Sequence, residues 1–386
     1  DCFSLLIRIL CGDYLYQLRI IMNQLTEQQL NDIKFVLQNF THETLQKDLI
    51  ALNTLKKAEL GAGILRLEFT MPFAWNTGFE ALKQATEVKL KEVTGATEIK
   101  WILNYNIATL KRANHHPAVN GVKNIIAVTS GKGGVGKSTT SVNLALALKA
   151  QGAKVGILDA DIYGPSIPHM LGAKDQRPIS PDNKHITPIE TYGIQSNSIG
   201  YLMAEDNATI WRGPMASSAL SQLLNETWWN ELDYLVIDMP PGTGDIQLTL
   251  SQQIPVTGAV VVTTPQDIAL LDAIKGISMF QKVSVPVLGI IENMSVHICQ
   301  NCGHHEDIFG TGGAEKIAKR YGTQVLGQMP LHIRLRQDLD AGMPTVEADP
   351  THEISQAYIE LAGKVAAELY WQGQVIPSEI MIREVK

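Results

Sequence analysis

The chain of 386 residues is poor in cysteine, has no long apolar run and carries no surplus of basic charge. Its four cysteines are too few for a disulfide scaffold and suit a reducing compartment, so we expect a cytoplasmic protein. No stretch reaches the roughly 18 apolar residues that a membrane-spanning helix needs. The net charge of −7 disfavours a nucleic-acid-binding protein. We therefore expect neither nucleic acid nor a membrane as a partner.

The first 21 residues differ from the rest of the sequence. They are apolar but carry charged side chains along their length, so they lack the uninterrupted apolar stretch of a secretory signal. Met22 then opens a polar sequence of helical character, and we take it as the natural start. Residues 1–21 are therefore predicted to be an unstructured upstream extension. Cys2 and Cys11, which lie in it, are expected to have no part in the function.

Residues 22–107 are predicted to form a small α+β domain. Leu65, Leu67, Phe69 and Met71 alternate with polar residues, which is the pattern of a half-buried strand. No cluster of metal-binding or catalytic residues occurs here, which favours a docking or regulatory role. The predicted elements are a helix over 26–39, a hairpin over 52–71 that turns at Gly61–Gly63, a helix over 77–94 that stops at Gly95, and a strand over 97–103.

Residues 108–123 are basic and polar and are interrupted by Pro117 and Gly121. This composition predicts a linker between two domains. The adjacent histidines His115 and His116 are more typical of a solvated segment than of a metal site.

The remaining domain is predicted over residues 124–375, followed by a tail over 376–386. Short apolar runs alternate here with helical stretches, and wholly apolar strands indicate a parallel sheet covered by helices on both faces. The fold class is therefore α/β, with a mostly parallel sheet and a final helix over 352–371. The strand-like runs are NIIAVTS, AKVGILDAD, YLVIDMP, GAVVVTTP, PVLGIIENM and QVLGQMPL.

Residues 131–138 read GKGGVGKS between a predicted strand and a predicted helix, the setting that the P-loop motif requires. The glycines let the loop curl so that backbone N–H groups point at phosphate oxygens, and the helix N-terminus adds a positive dipole. Lys137 is expected to neutralise the β- and γ-phosphates, and the Ser138 hydroxyl to bind Mg²⁺. The predicted nucleotide-binding residues of this segment are Gly131, Lys132, Gly133, Gly134, Val135, Gly136, Lys137, Ser138 and Thr139.

The second lysine of this loop, Lys132, makes it resemble the deviant Walker A ATPases, the superfamily of the nitrogenase iron protein and the division-site protein MinD. In that group the extra lysine reaches the partner's nucleotide across a dimer interface. The resemblance therefore implies ATP held between two subunits, with Lys132 and Lys137 catalytic. It also implies that Asp161 orients or deprotonates the attacking water, that Asp245 lies in a loop sensing the γ-phosphate, and that Asn293 contacts the adenine base.

Further carboxylates follow two of the apolar runs. Asp238 ends YLVID and fits the Walker B role of holding Mg²⁺ through water. Asp159 and Asp161 end another run, and carboxylates at the carboxyl end of a parallel strand beside a phosphate loop are placed to handle Mg²⁺ and water. For Asp159, a capping role at the strand end is an equal alternative.

Cys299 and Cys302 form a C-x-x-C pair in a polar loop that is predicted to follow a strand. A thioredoxin-type redox pair is disfavoured, because it would open the helix after a first strand. An iron–sulfur site remains, as does a chance pair of thiols. A 4Fe–4S cluster needs four thiolates, so a two-fold dimer that joins two such loops would complete it. A zinc site is also open, with further ligands from His297, His304 or His305.

The chain resembles the bacterial Mrp/ApbC iron–sulfur cluster carriers over about residues 108–375, and residues 22–107 resemble the MIP18 (DUF59) domain without that family's cysteine. The resemblance implies a homodimeric ATPase that uses ATP and Mg²⁺, holds a labile 4Fe–4S cluster on Cys299 and Cys302, and transfers it to apo-proteins. Cluster-assembly scaffold proteins are implied as further partners. The alternatives are a MinD- or partition-like regulatory ATPase with a structural zinc site, or a zinc-stabilised kinase. The stretches that carry the resemblance include GKGGVGKSTTSVNLALAL, WRGPMASSAL, DYLVIDMPPGTGD and GIIENMSVHICQNCGHHEDIFGTGGAEKIA.

Overall fold

The chain divides into two units between Asn106 and Ile107. No helix in the described part of the chain is long and apolar enough to cross a bilayer. The predicted upstream extension, His115 and most of the predicted tail lie outside the described residues. The computed structural model describes residues 25–113, 116–203, 213–299 and 301–377, without the side chains of Asp245 and Ile246.

The described residues of the first unit, 25–106, form a three-stranded sheet and two helices, in agreement with the predicted elements. Its strands are β1 (Leu55–Gly61), β2 (Ile64–Met71) and β3 (Glu98–Tyr105), in the order β1-β2-β3, with β1 antiparallel and β3 parallel to β2. Leu65, Leu67, Phe69 and Met71 are all buried, which confirms the predicted alternation. The helices are α1 (Glu27–Gln38), before β1, and α2 (Asn76–Thr94), between β2 and β3.

The second unit is a sheet covered by helices, and its α/β class is as predicted. Its strands are β4 (Val122–Ser130), β5 (Val155–Asp159), β6 (Ile189–Thr191), β7 (Ile194–Ser198), β8 (Leu232–Asp238), β9 (Gly258–Thr263), β10 (Val287–Ile298), β11 (His305–Glu306) and β12 (Val325–Leu331). Its helices are α3 (Lys137–Ala150), α4 (Ile167–Met170), α5 (Gly213–Asn225), α6 (Asp245–Gln253), α7 (Asp267–Lys282), α8 (Gly313–Tyr321), α9 (Ile333–Asp340), α10 (Thr345–Ala348) and α11 (Glu353–Gln372).

The sheet of the second unit is mostly parallel. Among the described residues its strand order is β11-β10-β9-β4-β8-β5-β7-β6, with β12 paired to β10, and only β6 and β11 run antiparallel to their neighbours. Every residue of β5, β8 and β9 is buried, which explains their apolar composition. Because parallel strands end at the same edge, the loops after β4, β5 and β8 come together there.

The short strands β6 and β7 were not predicted. The sequence of β7 is IQSNS, which is polar, yet all of its residues are buried. Its polar side chains find partners inside the fold: Ser196 Oγ bonds to Tyr201 and Asn197 Nδ2 donates to Thr227 Oγ1. Apolar content therefore gives no signal for this strand.

The strand β10 extends to Ile298, beyond the end of the predicted apolar run PVLGIIENM at Met294. It then pairs antiparallel with β11, so that Ile298 lies opposite His305. Cys299 and Cys302 therefore lie in the turn of a β-hairpin, directly after the strand that carries Asn293, which agrees with the predicted loop; the pairing of that strand with β11 was not predicted. The apolar run stops before the hairpin arm, so the sequence of the arm itself did not indicate a strand.

The segment predicted as a linker packs on the second unit. Leu110 is buried and bridges to Val375, and its N–H donates to the side chain of Asn124 at 3.0 Å. Val119 lies in the main apolar core of the unit. The basic and polar composition of this segment conceals the few apolar residues that attach it.

Candidate nucleotide site and cysteine hairpin

The glycine-rich segment curls between β4 and α3. Gly134 and Gly136 have φ values of 81° and 83°, in the left-handed region that favours glycine. Gly131 lies directly against α7, because a Cβ there would come within 2.2 Å of the Asp272 backbone. A Cβ at Gly133 would meet no heavy atom within 4 Å. The loop is therefore closed on the α7 side and open at Gly133.

The predicted magnesium and phosphate residues meet in a buried cluster. The ammonium of Lys137 lies 2.8 Å from Asp238 Oδ1, and both side chains are buried. Ser138 Oγ donates to Asp238 Oδ2 at 2.6 Å. Ser141 Oγ donates to Asp238 Oδ1 at 2.7 Å. Sequence reasoning missed Ser141, although its position four residues after Lys137 places it on the same face of α3.

This cluster has the chemistry that ATP and Mg²⁺ require. Carboxylate and hydroxyl oxygens are hard ligands of the kind Mg²⁺ prefers, so Ser138 and Asp238 would hold the ion. The loop N–H groups and the start of α3 would hold the phosphates, with Lys137 beside them. The bound ion would neutralise charge on the phosphate oxygens.

Asp159 organises the loop that carries Asp161. Its carboxylate accepts hydrogen bonds from the N–H groups of Asp161, Ser166 and Ile167 at 3.0–3.1 Å, and from Ser198 Oγ at 3.1 Å. Of the two roles predicted for Asp159, these bonds match the cap. Burial, together with the nearby carboxylate of Asp238, raises the pKa of Asp159 to about 7.

Asp161 lies within the electrostatic field of the same cluster. Burial raises its pKa, and the charge of Lys137 opposes that shift. Lys132 is half-buried, and its ammonium forms no ion pair with any residue in the described ranges. Asp245 begins α6 directly after Gly244, but its side chain lies outside the described atoms.

Asn293 contacts the P-loop in an unpredicted way. Its side-chain N–H donates to the carbonyl of Val135 at 2.8 Å, and a Cβ on Gly136 would come within 2.1 Å of the same nitrogen. Glycine at 136 therefore leaves room for the Asn293 side chain and also adopts the left-handed backbone of the loop without strain. A carboxamide has a second N–H and an acceptor oxygen, so the predicted adenine contact is compatible with this bond.

The two thiols lie at the turn of the β10–β11 hairpin. The N–H of Cys299 donates to the carbonyl of His304 at 2.9 Å, and the N–H of Gly303 donates to the carbonyl of Cys299 at 2.8 Å. Cys299 is half-exposed and Cys302 is exposed. Hydrogen bonds from the N–H groups of Asn301 and Cys302 lower the pKa of the Cys299 thiol. A thiol that ionises easily is a better metal ligand.

The predicted zinc ligands do not come together in one chain. Among the described residues, no three His, Cys, Asp or Glu side chains converge as a possible metal site. His297, His304 and His305 therefore do not complete a site with the thiols within the described part of this chain. His116, the described half of the histidine pair, bonds to the carbonyl of Gln252.

The site defines a P-loop NTPase. It consists of a buried strand, the glycine loop and the helix after it, with Lys137 paired to the carboxylate of Asp238. The family model described as "ParA: NUBPL iron-transfer P-loop NTPase" matches residues 121–366, and the chain belongs to this family. The resemblance seen in the motifs is thereby confirmed.

Individual relatives agree with this assignment. The "Iron-sulfur cluster carrier protein" of Haemophilus influenzae is 73% identical over 94% of this chain and 98% of its own length. The mouse "Iron-sulfur cluster transfer protein NUBPL" is 51% identical over 65% of this chain and 79% of its own. A nucleotide-binding protein from Archaeoglobus fulgidus, solved in complex with ADP, is 39% identical with a TM-score of 0.52, covering 58% of this chain and 88% of its own.

The two ends of the glycine loop differ in how tightly they are packed, and this predicts a difference in stability. Gly131→Ala should lower the free energy of unfolding by about 1–3 kcal/mol, because its Cβ would overlap the backbone of α7. Gly133→Ala, the matched control, should change it by less than about 0.5 kcal/mol. Urea unfolding of the two variants measures this. Equal losses would mean that the loop does not pack on α7 as described.

Proposed function

We propose that this protein is an ATP-binding and ATP-hydrolysing carrier that holds a labile 4Fe–4S cluster between two copies of the chain and delivers it to apo-proteins. The observation that carries the proposal is the strand β10. It bonds to the P-loop through Asn293 and ends in the hairpin that bears Cys299 and Cys302. The names of the relatives from Haemophilus influenzae and mouse support the same function.

The thiol pair supports a cluster that is shared between copies. A 4Fe–4S cluster takes four thiolates, and one hairpin supplies two. The hairpin thiols reach solvent, so a second hairpin can approach them. A two-fold axis that passes between the hairpins supplies the other two thiolates. Ligands at an exposed turn also suit a cargo that has to leave.

An apolar rim supports contact between the two copies on the side of the nucleotide site. Tyr163 follows β5 and Ile333 follows β12, and both are exposed. Ile268 and Leu271, in the first turns of α7 after β9, are 70% and 60% exposed. The carboxyl ends of these parallel strands lie at one edge of the sheet, beside the P-loop. Exposed apolar side chains gathered at one edge are typical of a protein–protein interface.

Cluster binding is tested by anaerobic reconstitution with iron and sulfide, followed by absorption spectroscopy and iron analysis. The wild-type protein should gain the visible absorption of a 4Fe–4S cluster, with one cluster for two chains. The double variant Cys299→Ala/Cys302→Ala should gain none. Its matched control, Cys2→Ala/Cys11→Ala, removes the other two cysteines and should bind the cluster as wild type does.

Equal uptake by both double variants would contradict the proposal. Tight binding of zinc by the hairpin, without cluster uptake, would favour the regulatory ATPase instead. Transfer itself is followed by mixing the loaded protein with a purified apo-protein that needs a 4Fe–4S cluster. Activity should return faster than with the same amounts of free iron and sulfide.

Lys132 offers a test of hydrolysis in which the fold is preserved. Its half-buried side chain forms no ion pair in the described part of the chain, so Lys132→Ala should leave the free energy of unfolding within about 0.5 kcal/mol of wild type. ATP turnover should nevertheless be lost, because a second copy would lack the lysine that reaches its nucleotide. Steady-state phosphate release measures this.

Lys137→Ala provides the comparison. It should also abolish turnover, and it should destabilise the fold as well, because it leaves the buried carboxylate of Asp238 without its cation. Both lysine variants should still take up the cluster. Normal ATP turnover in Lys132→Ala would exclude a role for this lysine across an interface.

The apolar rim predicts a variant that cannot form the dimer. Ile268→Asp/Leu271→Asp places charge on the rim and should abolish the dimer formed with a non-hydrolysable ATP analogue, as measured by sedimentation velocity. Asp near the start of a helix is favourable, so α7 should remain folded. The control Val88→Asp changes an equally exposed apolar residue on α2 of the first unit and should leave the dimer intact. A dimer that survives the rim charges would place the interface elsewhere.

A further inference from the structure

The strand β10 changes conformation directly after the residue that bonds to the P-loop. Met294 has φ of 56°, in the left-handed region that residues other than glycine rarely adopt. It follows Asn293, whose side chain bonds to the carbonyl of Val135. The Met294 side chain itself approaches within 3.9 Å of the Cβ position of Gly136. A costly backbone conformation therefore lies against the P-loop.

This conformation produces an irregularity in the sheet. Asn293 of β10 pairs with Met329 of β12, and the next pair joins His297 to Leu331. The chain therefore advances by four residues on β10 but by only two on β12. The extra residues form a bulge. Ser295 Oγ stabilises it by donating to the carbonyl of Met329 at 3.2 Å. A bulge of this kind bends a strand and changes the direction of the segment beyond it.

The segment beyond the bulge is the arm that carries the thiols. His297 and Ile298 pair with β11, and Cys299 comes immediately after them. After the hairpin the chain contacts β10 again at the start of α8. There the N–H of Ala314 donates to the buried carboxylate of Glu292, the residue before Asn293, at 3.1 Å. The segment between residues 293 and 314, which contains the hairpin, therefore begins and ends at neighbouring residues of β10, one of which also bonds to the P-loop.

We infer that Asn293 and Met294 are positioning residues that couple the conformation of the P-loop to the placement of Cys299 and Cys302. The inference rests on the proposed function, which it extends by naming how nucleotide acts on the thiols. When the P-loop closes on phosphate, the Val135 carbonyl moves with it, and so does its bond to Asn293. Met294 then either keeps its left-handed backbone or relaxes to an extended one. Relaxation removes the bulge and turns the hairpin arm.

The coupling depends on Met294 not being glycine. The left-handed conformation is costly for a methionine, so it keeps that conformation only while its surroundings impose it. Glycine adopts both signs of φ with equal ease, so it would let the arm move independently of the P-loop. Met294→Gly should therefore remove the coupling without removing either site. Met294→Asn should preserve it, because asparagine tolerates the left-handed region yet still restricts the backbone.

The test is the alkylation rate of the thiols in the cluster-free full-length protein. Iodoacetamide modification of Cys299 and Cys302 is followed separately by peptide mass spectrometry, without nucleotide and with saturating Mg-ADP or a non-hydrolysable ATP analogue. Wild type should show a several-fold change in rate on binding nucleotide. Met294→Gly should lose this response while it still binds nucleotide by calorimetry, and Met294→Asn should retain it.

Ser284→Gly is the matched control. Ser284 also has a left-handed backbone, with φ of 58°, but it lies before β10 and away from the P-loop bond. This variant should respond to nucleotide as wild type does. A response that persists in Met294→Gly, as expected if dimer formation alone shields the thiols, would overturn the inference, as would the absence of any response in wild type. Failure of cluster reconstitution is a separate result, which overturns the proposed function but leaves the measured coupling intact.

Discussion

The buried carboxylate of Asp238 constrains the elements around it. It lies at the end of β8, between β4 and β5, where water does not reach it. A buried carboxylate without a partner costs several kcal/mol, so it requires a cation and donors. Lys137, Ser138 and Ser141 provide them from the first turn or so of α3. The start of α3 is thereby fixed to β8, and the glycine loop must close the gap between β4 and that point.

Other buried polar side chains at the same edge of the sheet hold the neighbouring loops through hydrogen bonds. The carboxylate of Asp159 accepts hydrogen bonds from N–H groups of the loop after β5, and the carboxamide of Asn293 donates one to a carbonyl of the P-loop. Each group is satisfied by backbone atoms of the next segment, so the loops support one another. The P-loop is therefore bonded to β10, and β10 continues into the thiol hairpin.

The sequence predicted the α/β fold and the phosphate loop, and it assigned both Ser138 and Asp238 to Mg²⁺, because apolar strands and the P-loop motif are local signals. It missed β7, whose buried residues are polar, since their burial depends on partners distant in the chain. It also ended β10 with the apolar run at Met294. The left-handed Met294 and the arm beyond it are determined by contact with the P-loop and β12, and no local pattern encodes such contacts. The role of Ser141 required knowing which face of α3 meets Asp238.

The shortage of thiols and the position of the hairpin lead to the same arrangement. One chain places two thiols at an exposed turn, and no described His, Asp or Glu joins them in a possible metal site. A cluster with four thiolates therefore needs a second hairpin. If both chains bring their hairpins to it, and if Asn293 and Met294 couple each hairpin to the P-loop of its own chain as proposed, the cluster responds to two P-loops at once. On that proposal, a change in either nucleotide site alters half of the cluster's ligands, which would give a physical basis for binding that is firm enough to carry the cluster and weak enough to release it.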